Sequence, residues 1–228
     1  MATLQRNQAL IKVRSPWAVR ATATYLAAGL ALAATAAAAT WYLTAPNVPD
    51  LGVGSNLATS GLHEQWLQGN VVVMVRHAER CDRSANPCLG DPQGITVNGR
   101  DQALAAGAGL HNLGLGNATL MSGLTLRTQQ TAQLLAGGAV ASDAWADQCD
   151  GGFRDLVLGH KTRGKNLVVV THSGCVDQFE RTLRVAADNR KSEYAQAFFI
   201  QADGTHAPKI LGALTAQEWK NLSAATWH

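Results

Sequence analysis

Two runs of apolar, mainly β-branched residues, Val71-Val72-Val73-Met74-Val75 and Leu167-Val168-Val169-Val170, are each followed one residue later by a histidine. An apolar run without polar alternation reads as a strand covered on both faces, the usual state of a strand in a parallel sheet between helices. In such sheets ligands bind at the carboxyl edge. That edge receives Arg76-His77 from one run and Thr171-His172 from the other. Between them, the stretch Ser122 to Ala132 places Arg127 just inside a helix.

The remaining pattern fits the same architecture. Thr96 is positioned to cap a helix running to Leu113, with Gly114 ending it. A short strand is expected over 118–121, a helix over 124–135 and a further short strand over 139–141. An acidic loop is expected over 142–152, a helix over 176–185, and late strands over 197–200 and 209–211. Strands alternating with helices imply an α/β fold, here a three-layer sandwich with a mostly parallel central sheet flanked by helices.

The N-terminus has a different character. Arg6, Lys12, Arg14 and Arg20 are the only charged residues before Asp50, so they supply +4 of a chain whose formal total is +3, and the remainder stands at −1. No basic nucleic-acid face is expected on that remainder. Residues 21–43 carry no charge and are long enough, as a helix, to cross a bilayer core of about 30 Å. Trp17 and Tyr25 flank one end, Trp41 and Tyr42 the other, and the basic residues lie on the side expected to stay in the cytoplasm. A single N-terminal transmembrane helix is therefore expected, with the rest of the chain exported to the periplasm. A signal cleaved near Ala37-Ala38-Ala39 and a soluble Ala-rich helix are the alternatives. The expected organisation is a basic segment over 1–20, the anchor over 21–43, a Pro- and Gly-containing linker over 44–61 and a catalytic domain over 62–228.

Two imidazoles and two guanidinium groups at one sheet edge suit a small tetrahedral anion. Arginine presents a planar fork of donors that matches phosphate oxygens. A neutral imidazole whose other nitrogen is held can attack phosphorus, and a protonated one can stabilise charge on the transferring group. Neither role calls for a metal or a cofactor.

Four stretches, in order, resemble the histidine phosphatase (phosphoglycerate mutase-like) superfamily. Arg76-His77-Ala78-Glu79 is similar to its Arg-His-Gly-Glu signature, with Ala78 in place of Gly. The segment Ile95 to Ala103 is similar to its Leu-Thr-x-x-Gly-x-x-Gln-Ala segment, Ser122 to Ala132 to its Ser-x-x-x-x-Arg-Thr-x-x-Thr-Ala segment, and Val168 to Gly174 to its strand ending Thr-His-Gly-Gly. The resemblance implies His77 as the nucleophile that carries the phosphoryl group, with Arg76, Arg127 and His172 clamping the phosphate; Arg80 is added as a further phosphate contact. Arg80-Cys81-Asp82, Pro87-Cys88-Leu89, Gln148-Cys149 and His172-x-x-Cys175 resemble a small exported branch acting on a heptose phosphate of the lipopolysaccharide core.

The superfamily's general acid has no plain match. Asp150, after the Gln-Cys pair, is the first candidate, with Asp147 and Asp155 as rivals, and Glu79 reads as the structural partner of a nearby arginine. Export permits disulfides among the four cysteines. Cys81 with Cys88 would close a loop beside the nucleophile, and Cys149 with Cys175 would tie the acidic loop to the helix after His172. The expected activity is phosphomonoester hydrolysis of a small-molecule or glycolipid phosphate, with membrane contact through the N-terminal helix. A protein phosphohistidine phosphatase and a non-catalytic phosphate binder are the alternatives.

Overall fold

The structure is a computed structural model that describes residue 25, residues 28–36, residue 40 and residues 46–224. The chain divides into residues 1–45 and residues 46–228. In the first unit, residues 28–36 are helical. Among the described residues no helix is long and apolar enough to cross a membrane, and most of the expected anchor over 21–43 lies outside them.

The second unit is built on a six-stranded sheet ordered β3-β2-β4-β1-β5-β6. Its strands are β1 (Val71–Arg76), β2 (Ala118–Ser122), β3 (Ala141–Ser142), β4 (Asn166–Thr171), β5 (Ala197–Gln201) and β6 (Lys209–Leu214). The helices of six or more residues are α1 (Leu62–Leu67), α2 (Val97–Leu113), α3 (Leu126–Ala136), α4 (Phe153–His160), α5 (Ser173–Thr182) and α6 (Ala216–Ala224). Strands β3, β2, β4 and β1 are parallel, whereas β5 and β6 join antiparallel, so the sheet is mixed rather than mostly parallel throughout. The late strands return as hairpin neighbours because only seven residues separate them, too few for a crossover helix.

Alternation along β1 explains its unbroken apolar run. Val71, Val73 and Val75 face a core with Leu110, Leu135, Phe199 and Trp219. Val72 and Met74 face the opposite core with Phe153, Val157, Val176 and Phe179. Both faces are covered, and each such side chain contributes about 1.5–3 kcal/mol by leaving water.

Thr96 caps α2 by accepting from the Gly99 N–H at 2.9 Å, and Gly114 follows its end, as its sequence suggests. Helix α5 begins earlier than its apolar pattern implies. His172 is its first cap, so the chain turns directly from β4 into the helix, and Arg184 at φ 64° closes the far end. Helix α4 lies where no element was expected, carried by the buried Phe153 and Val157 one turn apart.

The stretch read as a linker packs onto the domain from Pro49. Leu51 is 1% exposed; its N–H donates to Ala213 O at 3.0 Å, while the Ala213 N–H donates to Pro49 O at 2.9 Å. This rung covers the outer edge of β6. Gly212, at φ 142°, makes room for it, since a Cβ there would lie 2.5 Å from Pro49 O.

Candidate active site

Parallel pairing sets Arg76 opposite Thr171, and the His77 N–H donates to Thr171 O at 2.8 Å. The two strand ends are thereby locked together, and the His77 and His172 rings stand edge to face with centroids 5.3 Å apart. Residues 95 positions apart in the chain meet because β1 and β4 are neighbours.

His77 is 4% exposed, and its Nδ1 lies 2.8 Å from Ala78 O. A carbonyl accepts only, so Nδ1 carries the proton and Nε2 keeps its lone pair. Burial lowers the His77 pKa to about 3; the Ala78 contact opposes the shift, and His172, Arg127 and Arg76 add to it. The ring is neutral at neutral pH, as a nucleophile requires. The turn after His77 is tied to α3: the Ala78 N–H donates to Thr131 Oγ1 at 3.0 Å, and that hydroxyl donates to Arg127 O at 2.7 Å.

Arg76 donates through Nη1 to Ser192 O at 2.5 Å, and its guanidinium lies 4.0 Å from the centre of the Tyr194 ring. The Nε atoms of Arg76 and Arg127 are both buried without a hydrogen-bond partner. Burial lowers both guanidinium pKa values, but a group of this kind stays charged at any working pH. Arg80 is near enough to disfavour charge on Arg76, Arg127 and His172, yet Asp82 occupies its fork through two contacts of 2.5 Å.

The carboxylate that the structure brings to the histidines is that of Asp147, not Asp150. Asp147 Oδ1 lies 2.8 Å from His172 Nε2, and Oδ2 accepts from the Leu124 N–H at 2.6 Å. Gly123 gives it space, since a Cβ there would sit 1.7 Å from Asp147 Oδ1. Asp150 Oδ1 instead accepts from the Gly152 N–H at 2.9 Å in an exposed turn, and Asp155 is exposed in the first turn of α4. Burial lowers the His172 pKa, and Asp147 works against that shift.

Among the described residues, Glu79 pairs with no arginine. It accepts from Ser84, Asn86, Thr96 and Asn98 and so ties the loop after the nucleophile to the start of α2. Burial pushes its carboxyl up, but those four donors outweigh it and hold the pKa at about 2. Disulfides join Cys81 to Cys88 and Cys149 to Cys175. The first closes the loop bearing Asp82, and the second fastens the segment after Asp147 to the first turn of α5.

A sheet edge that presents two facing imidazoles, two guanidinium groups and a carboxylate on one histidine defines the class of the fold: it is that of the histidine phosphatases. The protein histidine phosphatase SixA, solved with tungstate, superposes with a TM-score of 0.53 at 15% identity, covering 67% of this chain and 99% of that one. No family model matches the chain. Among curated proteins, the lipopolysaccharide core heptose(II)-phosphate phosphatase of Salmonella arizonae is 37% identical over 146 residues, 58% of this chain and 72% of its own length. That of Salmonella typhi is 40% identical over 120 residues, 51% of this chain. The chain spans 59% of the length of the latter. By this likeness the chain belongs to the family of lipopolysaccharide core heptose(II)-phosphate phosphatases.

Proposed function

We propose that the chain hydrolyses a phosphomonoester through a phosphohistidine on His77, and that the ester is a heptose phosphate of the lipopolysaccharide core. The observation that carries this reading is a buried, neutral His77, its Nδ1 held by Ala78 O, facing Arg76, Arg127 and His172. His77 Nε2 attacks phosphorus while the bond to the leaving oxygen breaks. The guanidinium groups hold the equatorial oxygens, whose growing charge they match beside the buried His77. The proton for the leaving oxygen comes from the His172–Asp147 pair. Water then attacks the phosphohistidine and returns a proton to that pair; the P–N bond breaks, releasing phosphate and neutral His77.

The relatives' names supply the sugar, and the polar anion site suits it. SixA, a protein histidine phosphatase, points instead to phosphohistidine on a protein, a substrate that needs no strong acid because its leaving group is already a good one. Asp147 on His172 favours the sugar ester, whose alkoxide leaves poorly without a proton. We place the domain outside the cytoplasm, held by the N-terminal segment. The charge asymmetry of residues 1–43 and the two disulfides support this.

The test is hydrolysis of p-nitrophenyl phosphate and of phosphorylated core oligosaccharide by the full chain, with His77→Ala beside it. Phosphate release from both substrates, an acid-labile phosphoenzyme and loss of both in the variant are expected. Equal rates in the two proteins would refute the assignment. A topology reporter fused after His228 is expected to be active only in the periplasm, and cytoplasmic activity alone would overturn the placement.

A further inference from the structure

At the sheet edge opposite the histidines, a cleft of about 630 Å³ opens between α4, the loop before β4 and the hairpin joining β5 to β6. Arg154, Leu158 and Lys161 line it from the α4 side, at spacings of four and three residues that share one helix face. Arg163 joins them from the loop, and Asp203 and His206 from the hairpin. Val71 pairs with Gln201 at the hairpin end, so this edge lies five residue steps from Arg76, roughly 16 Å at the usual strand rise. The cleft is separate from the catalytic pocket.

Its charge is unbalanced. The side chains of Arg154 and Arg163 make no hydrogen bond or ion pair with any described residue, and the Arg154 Nε is buried without a partner. Lys161 is anchored by Gly69 O at 2.7 Å and Thr162 O at 3.0 Å, which leaves one of its three protons free. The single carboxylate, Asp203, is already engaged: Oδ1 accepts from the Thr205 and His206 N–H groups, and Oδ2 lies 2.7 Å from His206 Nδ1. Two permanently charged guanidinium groups and Lys161 thus face one carboxylate, which accepts within its own turn and offsets only part of the effect of burial on Lys161. A half-buried guanidinium without a partner is costly in a folded protein, and a tetrahedral oxyanion is the ligand its fork fits.

We infer that this cleft is a second anion site, which binds a phosphate group other than the one being cleaved. The site does not depend on the phosphatase reading. Two sources share this chemistry: a further phosphate on a soluble phosphorylated saccharide, and a phospholipid headgroup.

The experiment is equilibrium dialysis of the full chain carrying His77→Ala against inorganic phosphate, beside the same chain with Arg154→Gln and Arg163→Gln added. Two phosphates per chain are expected, falling to one with the added substitutions. Adding Arg127→Ala instead should remove the other phosphate and leave the cleft's own. One phosphate per chain before and after the Arg154 and Arg163 changes would overturn the proposal. Flotation with phosphatidylglycerol–phosphatidylcholine vesicles then separates the sources. If the two substitutions release part of the bound chain, the anion is a lipid headgroup; if binding is unchanged while the phosphate count falls, it is a soluble phosphate group. Turnover of p-nitrophenyl phosphate by the chain with His77 intact should be unaffected by Arg154→Gln and Arg163→Gln. If that turnover is absent altogether, the catalytic assignment fails while the dialysis result stands.

Discussion

Replacing Asp147 by Asn keeps the shape of the site and removes one charge. The His172–Asp147 contact is 2.8 Å long, with the two side chains 17% and 21% exposed, so solvent screens it little. A hydrogen bond to a charged group in such a setting is worth about 1.5–3 kcal/mol. Burial already lowers the His172 pKa, and Asp147 is the main influence raising it. Without that carboxylate, nothing of comparable strength opposes the effect of burial and the His172 pKa falls further. Fewer molecules then hold the transferable proton at neutral pH. The basic limb of the pH–rate profile should move to lower pH, and loss of a contact of that strength should lower kcat/KM at pH 7 by roughly 10- to 100-fold. The loss should be larger for a sugar phosphate than for p-nitrophenyl phosphate, whose phenolate leaves without help. The assay is phosphate release from both esters between pH 5 and 9, with Asp150→Asn as the comparison. If Asp147→Asn retains its rate and its profile while Asp150→Asn loses both, the assignment of Asp147 is wrong.

Three further outcomes follow from the geometry. Gly123→Ala should mimic Asp147→Asn in rate, because its Cβ displaces the carboxylate, while thermal unfolding shifts little; an unchanged rate would show that the carboxylate has room to move. Opening the Cys149–Cys175 bridge with paired Ser substitutions should cost about 3.5 kcal/mol by the chain-entropy model for a 26-residue span, read from denaturant midpoints with and without reductant. A cost under about 1 kcal/mol would mean that the unfolded chain is not constrained by the bridge. Glu79 is held at about 2 in the fold against an ordinary 4.5, so its contribution is complete above pH 4.5 and is lost as pH falls towards 2. Glu79→Gln should flatten the fall in melting temperature across that window, and an equally steep fall in the variant would assign acid sensitivity elsewhere.

The parts of this protein legible in the sequence are those fixed by strong local signals. Unbroken Val runs reveal β1 and β4, Thr96 and Gly114 bound α2, and Arg76, His77, Arg127 and His172 all stand at element ends where pattern alone locates them. Asp147 was harder to single out. Three aspartates share an acidic loop, and the one that turns inward is decided by a short 3-10 turn that Asp143 caps, by the bridge from Cys149 and by the space at Gly123. All three depend on tertiary contacts. The clamp on Arg76 by Ser192 and Tyr194 was likewise invisible, because it follows from the antiparallel register of β5 beside β1 and leaves no local motif. Helix α4 gives a weak signal in the sequence because it is short and only Phe153 and Val157 are fully buried, with Leu156 and Leu158 partly so.

The rung that Pro49–Leu51 lays along β6 bears on anyone who trims this protein. To the eye these residues are a tether, and a cut at residue 62 looks harmless. It would strip the hem from an open sheet and leave the β6 backbone looking for another strand, which a neighbouring molecule can supply. A shortened form that begins at 62 should clump where one that begins at 46 stays dispersed, and a sizing column would tell the two apart.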